Sequence, residues 1–104
     1  MTESAYSALP PDDVDCRLLR IEGRVQGVGY REACVQRAQA LDLTGYVRNR
    51  RDGSVEVMLQ GPADGVARMQ VWLHEGPPLA RVDRVTVSSA PVVVLSSFER
   101  RPTE

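Results

Sequence analysis

Between Cys16 and Leu41 the apolar residues change their spacing, and the change falls across a turn rich in glycine. Leu19 and Ile21 have one parity and Arg20 and Glu22 the other, the alternation of a half-buried strand. Gly23 to Gly29 breaks that alternation. Tyr30, Cys34, Ala38 and Leu41 then recur at steps of four, four and three, which is one face of a helix. Glu32, Gln36, Arg37 and Gln39 lie largely off that face. A strand that passes through glycines directly into a helix is the start of a layered fold, with the helix packed on a sheet.

The rest of the chain supplies the other layers. Leu43 to Arg50 and Ser54 to Gln60 read as two strands, with Asp52–Gly53 as the turn signal between them. A two-residue turn would put Arg48 and Arg50 on the face of Val57 and Val55. A three-residue turn from Arg51 to a left-handed Gly53 aligns Val47 with Val57 and Asn49 with Val55, and it keeps the apolar positions together. The second register is therefore expected, and it puts Asn49 at the end of a buried face. Pro62 suits a first helical turn, with Val66, Met69 and Leu73 as the buried stripe and Trp72 alongside. Gly76-Pro77-Pro78 stops that helix. Arg81 to Val87 reads as a further strand, in which Val82 falls out of phase with Val85 and Val87 and so predicts a bulge. Ser88 to Ser97 has no clear pattern, and Phe98 to Arg100 reads as a short last strand. The order is that of an α+β split βαβ sandwich, an antiparallel sheet with two helices on one face.

At 104 residues, 42% hydrophobic and 26% charged, the chain suits one globular domain, expected over residues 16–101. Residues 1–15 carry Glu3, Asp12, Asp13, Asp15 and Pro10–Pro11 and read as a flexible acidic tail. They lack the basic start and apolar core of a secretory leader, and no segment is apolar enough to span a bilayer. A cytoplasmic monomer with no membrane partner is the default expectation. A net charge of −1 with only five aromatic residues argues against nucleic acid as a partner, since RNA binding on such a sheet needs exposed aromatics and a basic face. Cys16 and Cys34 are too few for a disulfide scaffold or a structural zinc site, and no His or Cys accompanies the scattered acids, so no metal is expected. By parity Cys16 faces away from Leu19 and Ile21, whereas Cys34 lies on the helical stripe that covers them; no disulfide is expected. His74, the only histidine, reads as a helix-end residue.

All 13 basic side chains are arginine, a bias toward planar, forked donors that suit phosphate. Gly23-Arg24-Val25-Gln26-Gly27-Val28-Gly29-Tyr30-Arg31 joins a strand to a helix start, where unpaired amides and the helix dipole favour an anion. Gly27 and Gly29 let successive N–H groups converge. Arg31 gains nothing from the dipole at that end, so its position suggests a bound anion. There is no GxxxxGK[ST] nucleotide loop, and Glu32 stands where a dinucleotide fingerprint needs a small residue. On these residues alone, a tight turn whose glycines serve geometry stands level with a phosphate cradle. Arg48, Arg50 and Arg51 read as a solvated rim around Asn49 that would steer an anionic substrate.

The order and spacing of two longer motifs carry a resemblance. Ile21-x-Gly23-x-Val25-Gln26-Gly27-Val28-x-Tyr30-Arg31 resembles the first acylphosphatase signature, and Gly45-Tyr46-Val47-Arg48-Asn49-x-x-x-Gly53-x-Val55-x-x-x-x-x-Gly61 resembles the second. The likeness runs from about Cys16 to Phe98, and Tyr30 departs from the family's usual Phe, adding a hydroxyl that needs water or a partner. The resemblance implies a ferredoxin-like sandwich and hydrolysis of small acyl phosphates to carboxylate and inorganic phosphate, without cofactor. It implies a phosphate loop of Arg24, Val25, Gln26, Gly27, Val28, Gly29 and Tyr30, a catalytic Arg31, and a catalytic Asn49 that positions the attacking water. The main rival is a carrier domain of a longer maturation protein; a chain that ends just after its last strand favours the free-standing enzyme.

Overall fold

The structure, a computed structural model, describes residues 14–104. The alternating stretch forms β1 (Val14–Arg24), and the stepped apolar stripe after the glycine turn forms α1 (Tyr30–Ala40). Then come β2 (Thr44–Asn49), β3 (Val55–Pro62), α2 (Ala63–Leu73), β4 (Arg81–Ser89) and β5 (Phe98–Arg100). The expected acidic tail lies outside the described residues except for Val14 and Asp15. Those two belong to β1, paired with Pro62 and Gly61 of β3.

The sheet order is β4-β1-β3-β2-β5. β3 runs antiparallel between β1 and β2, and β1 runs antiparallel between β3 and β4. Each βαβ unit is thus split by a strand of the other, the ferredoxin-like arrangement. Leu19 and Ile21, Val47, and Val55, Val57 and Leu59 form one sheet face. Tyr30, Cys34 and Ala38 of α1 and Val66, Met69 and Leu73 of α2 close over that face into one core. Cys34 sits in this core, Cys16 lies outside it, and both are free thiols. Burial pushes both thiols up from their ordinary pKa, with the Asp15 carboxylate adding to the effect at Cys16.

The β2–β3 register is the expected one, with Val47 opposite Val57 and Asn49 opposite Val55. The expected bulge in β4 is also present. Glu22 pairs with Arg84 but Gly23 with Val82, so Asp83 has no partner, and both Val82 and Val85 reach the core. The sheet differs from a fully antiparallel one at its last strand, because β5 runs parallel to β2. β4 and β5 are opposite edges, so the segment between them must cross the sheet before it pairs. That crossing is the stretch without a clear sequence pattern. It is fixed from below by Gln60 of β3, whose amide donates to Val93 O (2.6 Å) and accepts from Val93 N (2.9 Å). The carbonyl oxygen of Cys16, the cross-strand partner of Gln60, accepts from Ala90 N of the same segment (3.0 Å).

Candidate active site

The turn between β1 and α1 is anchored by its apolar side chains and open along its backbone. Val25 and Tyr30 are each 1% exposed, and Val28 packs against the core between them. The Tyr30 hydroxyl donates to Leu73 O at the end of α2 (2.7 Å), so the added oxygen has its partner inside the protein. Burial, with the Cys34 thiol close by, pushes the Tyr30 pKa up and keeps the hydroxyl a neutral donor. Gly27 and Gly29 take φ of 74° and 81°, and a Cβ on either would meet nothing within 4 Å. Their glycine identity is therefore a matter of left-handed backbone rather than of space.

Gly29 also caps α1, with no side chain bonded to the helix start. Among the described residues, the N–H groups from Gln26 to Glu32 have no backbone or side-chain acceptor. Several open donors thus lie at the positive end of a helix dipole. Arg31, in the first turn, is half-buried, and Arg24 is exposed. Neither makes an ion pair among the described residues, whereas Arg17, Arg20, Arg48, Arg50, Arg68, Arg81, Arg100 and Arg101 all do.

The hairpin between β2 and β3 lies against this turn. Arg50 N donates to Ser54 O (2.8 Å), Gly53 N to Arg50 O (3.1 Å), and Gly53 has the expected left-handed φ, 93°. Asp52 Oδ1 accepts from Ser54 N (2.9 Å) and Oγ (2.6 Å), bonds that hold the Asp52 carboxyl below its ordinary pKa. Asn49 ends the buried face of β2 one residue before the turn. Its backbone carbonyl accepts from Glu104 N (3.0 Å). Its side-chain Oδ1 is buried and has no hydrogen-bond partner among the described residues. The Gln26 side chain reaches across to the hairpin, where Nε2 donates to both Arg50 O and Ser54 O at 2.8 Å.

Arg48, Arg50 and Arg51 do not form a uniform basic rim. Arg48 and Arg50 converge on Glu56 at 3.0 and 2.9 Å, and Tyr46 donates its hydroxyl to the same carboxylate at 2.5 Å. Burial alone would raise the Glu56 pKa; the Tyr46 bond and the two guanidiniums outweigh it and hold the carboxyl below its usual value. Arg48 also pairs with Glu104. Arg51 is the exposed member of the three, so two of the three steering charges are already neutralised by neighbours. Composition and spacing do not reveal the Glu56 cluster, although the expected register sets Arg48 opposite Glu56. His74 is exposed at the end of α2, its Nδ1 3.0 Å from Gln70 O. No three His, Cys, Asp or Glu side chains gather as a metal site among the described residues.

Comparison with known proteins agrees with this architecture. The Acylphosphatase family model matches residues 17–99. "Acylphosphatase 2" of Ralstonia nicotianae is 52% identical over 87 residues, covering 83% of this chain and 92% of the relative. The acylphosphatase of an Acidovorax species is 49% identical over 103 residues, covering 99% of both. Among solved structures, an acylphosphatase from Coxiella burnetii superposes with a TM-score of 0.86 at 35% identity, covering 90% of this chain and 99% of that one. The chain belongs to the acylphosphatase family, enzymes that hydrolyse acyl phosphates.

Proposed function

We propose that the free N–H groups between Gln26 and Glu32, together with Arg31, hold the phosphoryl oxygens of an acyl phosphate while Asn49 orients the attacking water. The observation that carries this reading is the orphaned Asn49 Oδ1. A buried amide oxygen without a donor is costly, and in a working site the attacking water supplies the donor. Arg24, at the start of the turn, adds an exposed cation. Val25, Gly27, Val28, Gly29 and Tyr30 act through backbone alone, since the valine and tyrosine side chains belong to the core and glycine has none.

The reaction needs little beyond positioning and charge. Water attacks phosphorus in line with the acyl oxygen, the P–O bond to the acyl group breaks, and its electron pair leaves on a carboxylate. A phosphoryl oxygen takes the water's proton, because an amide such as Asn49 has no useful basicity at neutral pH. The leaving carboxylate has a conjugate-acid pKa of about 4, so it requires no general acid. Converging N–H donors and a forked guanidinium stabilise the charge that develops on the equatorial oxygens. No metal enters this scheme.

Asn49→Ala separates the two roles. It is expected to lower kcat sharply while inorganic phosphate, a product that occupies the cradle, binds with near wild-type affinity in calorimetry. If Asn49→Ala loses phosphate affinity as completely as Arg31→Ala, Asn49 belongs to the anion cradle and the division proposed here is wrong.

A further inference from the structure

Gln26 lies in the phosphate turn, yet its side chain is used elsewhere. Both hydrogens of Nε2 are committed, one to Arg50 O and one to Ser54 O, each at 2.8 Å. Those two carbonyls close the β2–β3 hairpin, where Arg50 O already accepts from Gly53 N and Ser54 O from Arg50 N. The amide therefore ties the base of the hairpin shut, immediately after Asn49, across 24 and 28 residues of sequence. We infer that Gln26 is a positioning residue, a strut that sets the distance between the anion-holding turn and the Asn49 amide. The inference rests on the proposed role of Asn49.

Three features make the strut effective. Val25 is fully buried, so the turn cannot shift to follow a displaced Gln26. Arg50 and Ser54 are paired to each other, so the strut meets a closed ring rather than a loose loop. Asn49 Oδ1 itself has no partner among the described residues, so its side chain is aimed by the backbone that carries it, and Gln26 fixes that backbone one residue away. A strut of this kind acts on the water-positioning amide. It leaves the turn's own N–H groups and Arg31 in place to grip phosphate.

The test is a double-mutant cycle between Gln26→Met and Asn49→Ala, read by kcat on benzoyl phosphate and by calorimetric affinity for inorganic phosphate. Methionine keeps length and volume but donates nothing. Gln26→Met is expected to lower kcat about tenfold while phosphate affinity stays within about threefold of wild type. In the Asn49→Ala background the same change should lower kcat no further. Gln26→Glu, equally long but presenting only acceptors to the two carbonyls, should be slower than Gln26→Met, and it provides a second variant if methionine fails to fold. Native circular dichroism is required of each. Normal kcat in Gln26→Met, phosphate affinity lost as in Arg31→Ala, or losses that multiply with Asn49→Ala would each overturn the strut. An Asn49→Ala enzyme of normal kcat would instead overturn the water-positioning reading beneath it.

Discussion

The two turns at this end of the sheet, Val25–Gly29 and Arg50–Ser54, are neighbours built on opposite terms. The hairpin turn satisfies itself: Arg50, Gly53 and Ser54 bond one another, Asp52 accepts twice from Ser54, and Gln26 fills the remaining lone pairs of two carbonyls. The β1–α1 turn keeps its side chains in the core and leaves a run of N–H groups without acceptors. The first N–H groups of any helix lack intrahelical partners, and here the open run continues back through the turn, which is the feature the proposed anion site rests on. In the proposed mechanism the closed turn supplies rigidity and the open one holds the substrate.

Removing the cation at the open turn should have the largest effect. Arg31→Ala is expected to lower kcat/KM by roughly a hundredfold to a thousandfold and to abolish phosphate binding, with the circular dichroism spectrum unchanged. Arg31→Lys should recover little, because an ammonium lacks the fork. Near-normal turnover in folded Arg31→Ala would break the contrast between the turns.

Next in size is the backbone of the open turn. Gly29 has φ of 81° with free space around it, so Gly29→Ala meets no clash but must hold a left-handed conformation. The expected cost is about 1–2 kcal/mol of stability in urea titration, with a fall in activity as the N–H groups lose their convergence. Full stability with full activity would show that the turn's geometry is not constrained as described.

On the closed side, stability rather than rate should move. Glu56→Gln removes the charge on which Tyr46, Arg48 and Arg50 converge, at an expected cost of about 1.5–3 kcal/mol. Because the Glu56 pKa is lower in the folded protein than in the unfolded chain, its stabilisation is fully present above the ordinary carboxylate range. It is lost as pH falls through the folded value. The gap between wild type and Glu56→Gln should therefore be widest near neutrality and close in acid. A gap independent of pH would rule out the charge as its source. Smallest of all is the expected response to exhaustive EDTA treatment, which should leave the rate unchanged; a loss restored by magnesium or zinc would contradict the metal-free scheme.

Much of this contrast is readable in the chain, because period and register are local signals with large penalties. A one-residue slip of β2 against β3 would turn Val47 out of the core, so the pattern alone selects the register that brings Asn49 opposite Val55. The change of spacing at Gly23–Gly29 marks the strand-to-helix turn for the same reason. What depends on distant partners is not readable. The path of residues 90–97 is set by the Gln60 side chain on another strand, and the parallel direction of β5 follows from that crossing. Val14 and Asp15 look like the end of an acidic tail and are strand residues because Pro62 and Gly61 pair with them. At the site, the motif carries Gln26 as one more member of a phosphate loop, and only the fold reveals that its side chain is committed to the hairpin. The orphaned Asn49 oxygen, likewise, is a property of burial that no spacing encodes.

The claim that the open turn is the anion site is tested most directly by titrating inorganic phosphate into isotopically labelled protein and following backbone amide resonances. Saturable shifts should be largest for the N–H groups from Gly27 to Glu32 and for the Arg31 side chain, while Asp52 and Gly53 stay close to their free positions. Shifts concentrated on Arg50 to Gly53, or no saturable change in the β1–α1 turn, would contradict it.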